Sequence, residues 1–442
     1  MDSVSLTHRL RQLRRLKKAV EQFEGPLLTA LADDVGKSAV EAYASEIGIV
    51  HHEIDNALRH LPKWVRRKRV RTPLVLFPGR SFITYEPYGT VLIIAPWNYP
   101  VNLALSPLVG ALAAGNRVVV KPSEMSLHTS AVLAEMIGEH FDPAEIRVVE
   151  GGVDKTKELL AQRFDYIFFT GGTKIGKIIM TAAAQHLTPV TLELGGKNPC
   201  IVEKDAPLAK TARRIAWGKF FNAGQTCLAP DYVVVHRNVK EPFLDEMRKA
   251  ITQFYGCDPR ESPDYGRIIN DGHFQRLRVL LDEGDIVIGG GTDRDALYID
   301  PTVIDGIEMH HRIMEEEIFG PLLPVMTYDD LSVLIDDIGK RPKPLACYFF
   351  STDRNKQQAV LAGISAGGVS INDTFAHFIN SRLPFGGVGD SGMGAYHGRY
   401  SFETFSHAKS VYRGTFLFDT PMKFPPYTVS LSLIKRAFRF LY

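Results

Sequence analysis

Three polar side chains with different chemistry stand where the chain is expected to turn. Cys227 lies among small residues in FFNAGQTCLAP, Glu193 follows the apolar stretch PVTL, and Asn98 follows the strand-like run VLIIAPW. An ionised thiol is a nucleophile, a partly buried carboxylate can act as a general base, and a fixed carboxamide can donate to a developing oxyanion. Each also has a structural interpretation: an inert loop thiol, a backbone-bonded glutamate and a turn-forming asparagine. The residues alone leave both interpretations open.

The other cysteines do not suggest further chemistry. Cys200 and Cys347 lie in apolar runs typical of buried strands, and Cys257 lies in a polar loop. Four scattered cysteines without a CxxC pair support neither a disulfide framework nor a zinc site. We therefore expect free thiols, a reducing compartment and no metal.

Two segments could hold phosphate or ribose groups. TGGTKIG, from Thr170 to Gly176, joins an expected strand to a helix, whose first amides can face a phosphate. It is not the GxGxxG fingerprint, and glycines are common in such turns. Lys121 and Glu124 in VVVKPSE could bind ribose hydroxyls or simply form a solvated strand end.

The elements that must position these residues alternate between strands and helices. GTVLIIAPW, RVVVKPSE and YIFFTGG have the pattern of buried strands, and VNLALSPLVGALAAGN that of a helix ended by glycine. This alternation predicts a doubly wound parallel sheet with helices on both faces. YVVVH, PLACYFF and GGVSIN predict a second α/β domain, and apolar residues at helical spacing from Leu6 to about Leu61 predict amino-terminal helices with solvated basic faces.

Composition excludes several classes of protein. The 442 residues suffice for two packed domains, and 45% hydrophobic with 23% charged residues is ordinary for globular proteins. A net charge of +2 gives no field directed at nucleic acid. No apolar run reaches the roughly 20 residues of a membrane span, and the amino terminus lacks the apolar core of a secretory signal. We expect a cytoplasmic protein that binds no nucleic acid.

Taken together, the motifs resemble the aldehyde dehydrogenase superfamily in type and order. The short amino terminus and YHGRYSFETFSH further resemble its class 3, fatty-aldehyde-like branch. The resemblance implies an α/β fold with two doubly wound domains, one for cofactor binding and one for catalysis, and a small β oligomerisation ribbon. The matching segments are PWNYP, KPSE, FTGGTKIG, LELGGKNP, FNAGQTC, EEIFGP and PFGGVGDSGMG.

The resemblance also implies a role for each matching residue. Cys227 becomes the nucleophile that forms a thioester, Glu193 the base that activates water, and Asn98 the oxyanion donor beside the Cys227 amide. An aldehyde is then oxidised to a carboxylic acid with NAD, and NADP is often tolerated in this branch. The implied cofactor residues are Trp97, Lys121, Glu124, Thr170, Gly171, Gly176, Glu317 and Phe319. The implied substrate-tunnel residues, which suit medium or long aliphatic or aromatic aldehydes, are Tyr99, Trp217, Thr226 and His397.

The expected domains follow from these patterns and the resemblance. Residues 1–78 and 90–194 form the NAD(P)-binding domain, 195–386 the catalytic domain, and 79–89 with 400–425 an exposed ribbon. Such a ribbon needs a partner, so a homodimer is expected. Residues 426–442 predict an amphipathic helix that either packs on the dimer or makes weak peripheral contact with a membrane, without spanning it.

Three other functions remain to be weighed. A coenzyme A-acylating dehydrogenase would pass the thioester to a thiol, but Glu193 would activate competing water. A catalytically silent binding or structural protein on the same fold would not need Cys227, Glu193 and Asn98 together. A cofactor-free cysteine hydrolase would leave Lys121 and Glu317 unexplained.

Overall fold

Two mainly parallel sheets, each flanked by helices, carry the elements predicted from the sequence. The computed structural model describes residues 5–417, 424–427 and 429–441. The helices are α1 Leu6–Gln22, α2 Glu24–Val35, α3 Ala39–Ala42, α4 Gly48–Trp64, α5 Asn102–Ala114, α6 Leu127–His140, α7 Val153–Leu160, α8 Thr173–Ala184, α9 Leu208–Phe220, α10 Lys240–Tyr255, α11 Asp271–Leu280, α12 Leu331–Gly339, α13 Arg354–Gly363, α14 Ala376–Ile379, α15 Arg399–Thr404 and α16 Leu431–Leu441.

Besides a π-helix, Tyr43–Ile47, and short 3-10 turns, the described ranges contain the following strands. They are β1 Lys68–Val70, β2 Arg80–Pro87, β3 Thr90–Ile94, β4 Arg117–Lys121, β5 Ile146–Val148, β6 Tyr166–Thr170, β7 Val190–Glu193, β8 Pro199–Val202, β9 Tyr232–His236, β10 Asp285–Ile288, β11 Thr292–Asp293, β12 Tyr298–Ile299, β13 Thr302–Asp305, β14 Leu322–Tyr328, β15 Ala346–Phe350, β16 Gly368–Ile371, β17 Gly392–Met393 and β18 Ser406–Arg413.

The first sheet has the strand order β17-β7-β6-β3-β4-β5. Its strands are parallel except β17, which runs antiparallel to β7 and places Gly392 opposite Glu193. Helix α5 is buried over its whole length, which explains its apolar sequence, and it ends where Gly115 adopts a left-handed φ of 92°. The crossover from β3 through α5 to β4 confirms the predicted parallel arrangement.

The second sheet has the order β10-β13-β14-β9-β8-β15-β16. All neighbours are parallel except the edge pair β10 and β13. Cys200 on β8 and Cys347 on β15 are fully buried, as their apolar surroundings predicted. Two α/β sheets of this kind confirm the predicted fold class.

The third, smaller sheet is an antiparallel ribbon. β2 pairs with β18 from Arg80 opposite Arg413 to Pro87 opposite Ser406, and β1 adds a third strand on the other side of β2. The sequence had assigned the β1 residues to the first domain and residues 400–405 to the ribbon. In the structure α15 is helical instead, because Phe402 is buried and Ser401 packs closely on Gly110 of α5. Residues 418–423 of the predicted ribbon lie outside the described ranges.

The amino-terminal segment is helical, as predicted, and α1 and α4 pack on α5. The predicted solvated face is wrong for two of its basic residues. Arg9 is buried and donates to the carbonyl of Ala113, and Lys37 is buried in the loop between α2 and α3. Helix α16 lies within the predicted 426–442, of which residues 428 and 442 are not described.

Candidate active site

Cys227 lies in the loop that connects α9 to β9. The loop opens with a tight turn in which Asn222 and Ala223 adopt left-handed φ angles of 53° and 51°. The Asn198 side-chain amide donates to the Cys227 carbonyl at 2.7 Å and to the Ala229 carbonyl at 3.0 Å. These bonds fix the backbone on both sides of a half-buried thiol.

Burial raises the pKa of the Cys227 thiol, and the carboxyl groups of Glu317 and Glu193 raise it further. Backbone amides of Cys227 and Leu228 oppose this shift by stabilising the thiolate. The neutral thiol is therefore the resting form near neutral pH, and its ionisation requires an acceptor for the proton.

Glu193 ends β7 and is only 3% exposed. Within the described residues, neither of its carboxylate oxygens has a hydrogen-bond partner. The structure therefore lacks the backbone hydrogen bond that was the structural alternative for this residue. Burial raises the pKa of Glu193 well above its usual range, so the side chain is suited to take up a proton.

Asn98 lies in the turn after β3 and is buried. Its side-chain amide donates to the Gln225 carbonyl at 3.0 Å, two residues before Cys227. The same bond fixes the orientation of the carboxamide beside the thiol loop. One amide hydrogen remains to face an oxygen in the cavity that Asn98 and Cys227 both line.

The Asn98 turn is held by a buried ion pair that the sequence did not predict. The Lys37 ammonium lies 2.6 Å from the Glu46 carboxylate and donates to the Asn98 carbonyl at 2.8 Å, and both charged side chains are fully buried. The other Glu46 oxygen accepts from the amides of Val101 and Asn102 at 3.0 and 2.9 Å. The amino-terminal segment thus positions the turn that carries Asn98.

Two cavities meet at the catalytic candidates. Cys227, Glu193 and Thr170 line both of them. The first cavity, of about 560 Å³, is also lined by the predicted site residues Trp97, Asn98, Gly171, Glu317 and Phe319. The second cavity, of about 730 Å³, is also lined by the predicted substrate residues Tyr99, Trp217, Thr226 and His397.

The first cavity fits an anionic dinucleotide. The open start of α8 faces it, because a Cβ at Gly172 would meet no atom within 4 Å. The buried Thr170 hydroxyl has no partner in the described structure, and burial raises the pKa of Glu317 to about 8. The Glu317 carboxyl accepts from the Gly196 amide, and its remaining acceptor capacity together with the Thr170 hydroxyl can bind ribose and amide groups. This cavity is lined by five basic residues, Lys174, Lys197, Arg276, Arg341 and Lys343, and by five acidic ones, Glu193, Glu315, Glu316, Glu317 and Asp390.

Three predicted cofactor residues do not line that cavity. Lys121 is buried and forms an ion pair of 2.7 Å with Glu124. Gly176 packs against Leu194, whose Cδ2 atom would lie 2.7 Å from an added Cβ. Their roles in cofactor binding stay predictions, whereas the place of Gly176 in packing α8 on the sheet is clear.

The second cavity is largely aromatic. Tyr99 and Thr226 share a hydrogen bond of 2.6 Å between their hydroxyls, and Trp217 packs on Phe375 with ring centroids 5.2 Å apart. Burial lowers the pKa of His397 to about 3, so its ring is neutral at ordinary pH. Further aromatic lining residues, which the sequence reasoning missed, are Phe221, Phe254, Tyr255, Phe375, Phe378, Phe385 and Tyr396.

The part of the chain that the structure describes meets the requirements of neither a metal site nor a membrane-spanning helix. It contains no group of three or more histidine, cysteine or acidic side chains arranged to hold a metal ion. None of its helices combines the length and apolar character that a bilayer crossing requires.

Comparison with known proteins agrees with the geometry. Residues 1–411 match the model of the aldehyde dehydrogenase family. The 4,4'-diaponeurosporen-aldehyde dehydrogenase of Staphylococcus aureus is 49% identical over 98% of this chain and 95% of its own length. Human aldehyde dehydrogenase family 3 member B1 is 50% identical over 91% of this chain and 86% of its own length.

A solved structure gives the same result. The substrate-bound state of Staphylococcus aureus AldH superposes with a TM-score of 0.97 at 48% identity, covering 99% of this chain and 96% of that one. The predicted class 3 resemblance and the predicted fold are confirmed. The chain belongs to the aldehyde dehydrogenase family and is an NAD(P)-dependent aldehyde dehydrogenase.

Proposed function

We propose that the protein oxidises medium- or long-chain aliphatic or aromatic aldehydes to carboxylic acids through a thioester on Cys227. The observation that carries this proposal is the meeting of the two cavities at Cys227 and Glu193. A substrate entering from the aromatic side and a cofactor lying on the other side would both reach the thiol.

The chain's own residues supply the covalent steps. The Cys227 thiol gives its proton to solvent water, and its sulfur adds to the carbonyl carbon, which turns the carbonyl oxygen into an alkoxide. The Asn98 carboxamide and the Cys227 backbone amide donate to that oxygen. After oxidation, Glu193 takes a proton from water, and the water oxygen attacks the thioester carbon. The carbon–sulfur bond then breaks, the acid leaves, and the Cys227 sulfur takes the proton back from Glu193.

The cofactor fits the first cavity through residues already described. Bound there, the nicotinamide cofactor would supply the hydride acceptor that oxidation of the adduct carbon requires. The start of α8 and the basic lining would hold the phosphates, while Glu317 would hold a ribose. We propose NAD as the preferred cofactor, because the Glu124 carboxylate would repel a 2′-phosphate if it lies at the adenosine ribose.

The substrate class rests on the aromatic lining of the second cavity. Aromatic and apolar walls favour an aliphatic chain or an aromatic ring over a small hydrated aldehyde. The Staphylococcus aureus relative is named for 4,4'-diaponeurosporen-aldehyde, which supports an apolar substrate here as well.

We also propose a homodimer assembled through the ribbon, in a cytoplasmic compartment. β18 forms the edge of the three-stranded sheet, and most of its side chains are exposed. An exposed strand edge presents unpaired backbone groups to which a strand of another chain can pair. The alternatives for α16, packing on the dimer or peripheral contact with a membrane, both stay open.

The three other functions gain no support. The unpartnered carboxylate of Glu193 favours water activation over transfer of the thioester to coenzyme A. Burying that carboxylate has a free-energy cost that a silent protein would have no reason to carry. The first cavity, which brings the start of α8, Glu317 and Phe319 beside Cys227, would be superfluous in a cofactor-free hydrolase.

Replacing the nucleophile tests the proposal. Cys227→Ala should abolish NADH formation from hexanal while retaining NAD binding measured by fluorescence quenching. Cys257→Ala is the matched control, because Cys257 is exposed and lines neither cavity. Undiminished turnover in the Cys227 variant would refute the assignment.

A further inference from the structure

The aromatic cavity carries an unexpected excess of acidic groups. Besides Glu193, the carboxyl groups of Glu41, Glu53 and Asp264 line it. Across the described residues, no lysine or arginine lines this cavity, whereas five basic and five acidic side chains line the cavity on the cofactor side. The two halves of the site therefore differ in charge as well as in polarity.

Glu41 is the best-defined of these carboxyl groups. One of its oxygens accepts from the Asn222 amide at 3.0 Å, which directs the side chain towards the loop that carries Cys227. Burial raises the pKa of Glu41 to about 7, with further upward contributions from Asp264 and Glu46. The Lys37 ammonium and the Asn222 amide oppose the shift.

Glu53 and Asp264 extend the acidic character along the cavity. Glu53 is 4% exposed and accepts from the Gly398 amide at 2.8 Å. Burial raises the pKa of Glu53 to about 7, opposed by that amide. Asp264 is exposed, so it lies at the solvent end of the lining.

The basic groups near the cavity do not neutralise these carboxyls. The Lys37 ammonium is already paired with Glu46 at 2.6 Å and lies over the Tyr99 ring. His397 stays neutral because burial lowers its pKa to about 3. His52 is exposed and bonds to the Ser381 hydroxyl at 3.0 Å.

We propose that Glu41, Glu53 and Asp264 make the substrate channel selective against aldehydes that carry a second, anionic group. The inference rests on the proposed function, in which this cavity holds the aldehyde. A carboxylate entering an apolar channel loses hydration and meets like charges. A neutral chain neither loses the hydration of a charge nor is repelled by the carboxylates. A cation loses its hydration but is attracted by the carboxylates.

Three aldehydes of similar length separate charge selectivity from simple apolarity. The wild-type enzyme is assayed with neutral hexanal, anionic 6-oxohexanoate and cationic 5-(trimethylammonio)pentanal. We expect kcat/KM for the cation to exceed that for the anion by about tenfold or more, an ordinary size for like-charge discrimination in a partly screened site. Equally poor kcat/KM values for both ions would mean that apolarity alone selects, which overturns the proposal.

Charge-removing variants identify the residues responsible. In Asp264→Asn, Glu41→Gln and Glu53→Gln, the ratio of anion to hexanal kcat/KM should rise and the ratio of cation to hexanal should fall. Glu261→Gln is the matched control, because Glu261 is exposed and lies outside the channel lining. Unchanged ratios in all three channel variants would overturn the assignment. Asp264 is exposed, so its variant should fold even if the buried ones do not.

The pH dependence gives a readout without any substitution. Glu41 and Glu53 lose their protons as the pH rises through about 7, whereas 6-oxohexanoate remains an anion throughout. Discrimination against it should therefore grow between pH 6 and pH 8.5, measured as the ratio to hexanal at each pH. A flat ratio would count against these two residues, and absent hexanal turnover would instead reject the proposed function.

Discussion

At the scale of single residues, Glu193 stands out by what it lacks. Buried carboxylates in proteins normally accept hydrogen bonds, and leaving one unpaired costs about 1–3 kcal/mol or more. Glu46, equally buried, accepts from the Lys37 ammonium and two backbone amides. Glu193 has no such donor in the described structure. We therefore infer that this unpaired carboxylate next to a thiol accepts and releases a proton during the reaction.

Glu193→Gln should separate the two halves of the reaction. Addition and oxidation do not need the base for water, so one equivalent of NADH should appear rapidly, followed by slow turnover. In the wild type, kcat should fall as the pH drops through the raised pKa of Glu193, because the protonated form cannot accept a proton from water. Stopped-flow absorbance measures both effects, with the exposed Glu139→Gln as control. A normal steady-state rate in Glu193→Gln would remove this residue from hydrolysis.

The residue types and motifs predicted this part of the site well. Glu193 and Thr170 end two strands of one parallel sheet and Asn98 follows a third, and the strand ends of such sheets meet at one edge. The motifs could not reveal Lys37, because its contact with Asn98 joins positions 61 apart in the sequence. A lysine among helical charges looks solvated until the tertiary packing is known.

At the scale of elements, the amino-terminal helices act as a support for the catalytic turn. Lys37, between α2 and α3, and Glu46, in the turn before α4, bind the backbone on both sides of Tyr99. The amino-terminal helices therefore orient the Asn98 carboxamide, although they contribute no reacting group. Periodicity predicted these helices, but it does not report which polar side chains point inwards.

Lys37→Met should lower the stability of the protein and reduce its kcat. Removing one partner of a buried ion pair leaves the Glu46 charge unpaired, which costs about 3–5 kcal/mol. The lower melting temperature should be accompanied by a reduced kcat, because the Asn98 turn loses its support. Lys17→Met is the matched control: its ion pair with Asp55 is partly exposed, so the loss should stay below about 1 kcal/mol. Equal melting temperatures of the two variants would contradict this role. Adding Glu46→Gln to Lys37→Met removes the unpaired charge and should restore part of the lost stability.

At the scale of the whole molecule, the two sheets contribute opposite ends of their strands to one site. Asn98 and Glu193 come from the carboxyl ends of β3 and β7, whereas Cys227 precedes β9 of the second sheet. The rule that ligands bind at the carboxyl ends of parallel strands therefore explains the positions of Asn98 and Glu193. It does not explain the position of Cys227, which depends on how the two sheets pack together. The sequence predicted both sheets, and the packing that separates an acidic, aromatic cavity from one lined by charges of both signs emerged only from the structure.

The ribbon predicts the oligomeric state at this scale. β2 and β18 pair over eight residues, and the outer edge of β18 is available for a second chain. Sedimentation velocity at micromolar concentration should give twice the mass of one chain. A species with the mass of a single chain under assay conditions would contradict the proposed homodimer.

The most direct test of the central claim is to trap the covalent intermediate. Glu193→Gln, mixed with hexanal and NAD and quenched in acid during the NADH burst, should carry one hexanoyl group on the peptide that contains Cys227. Peptide mass spectrometry locates the adduct, and Cys257 in the same digest serves as the internal control. An acyl group on another side chain, or none while NADH forms, would contradict the account.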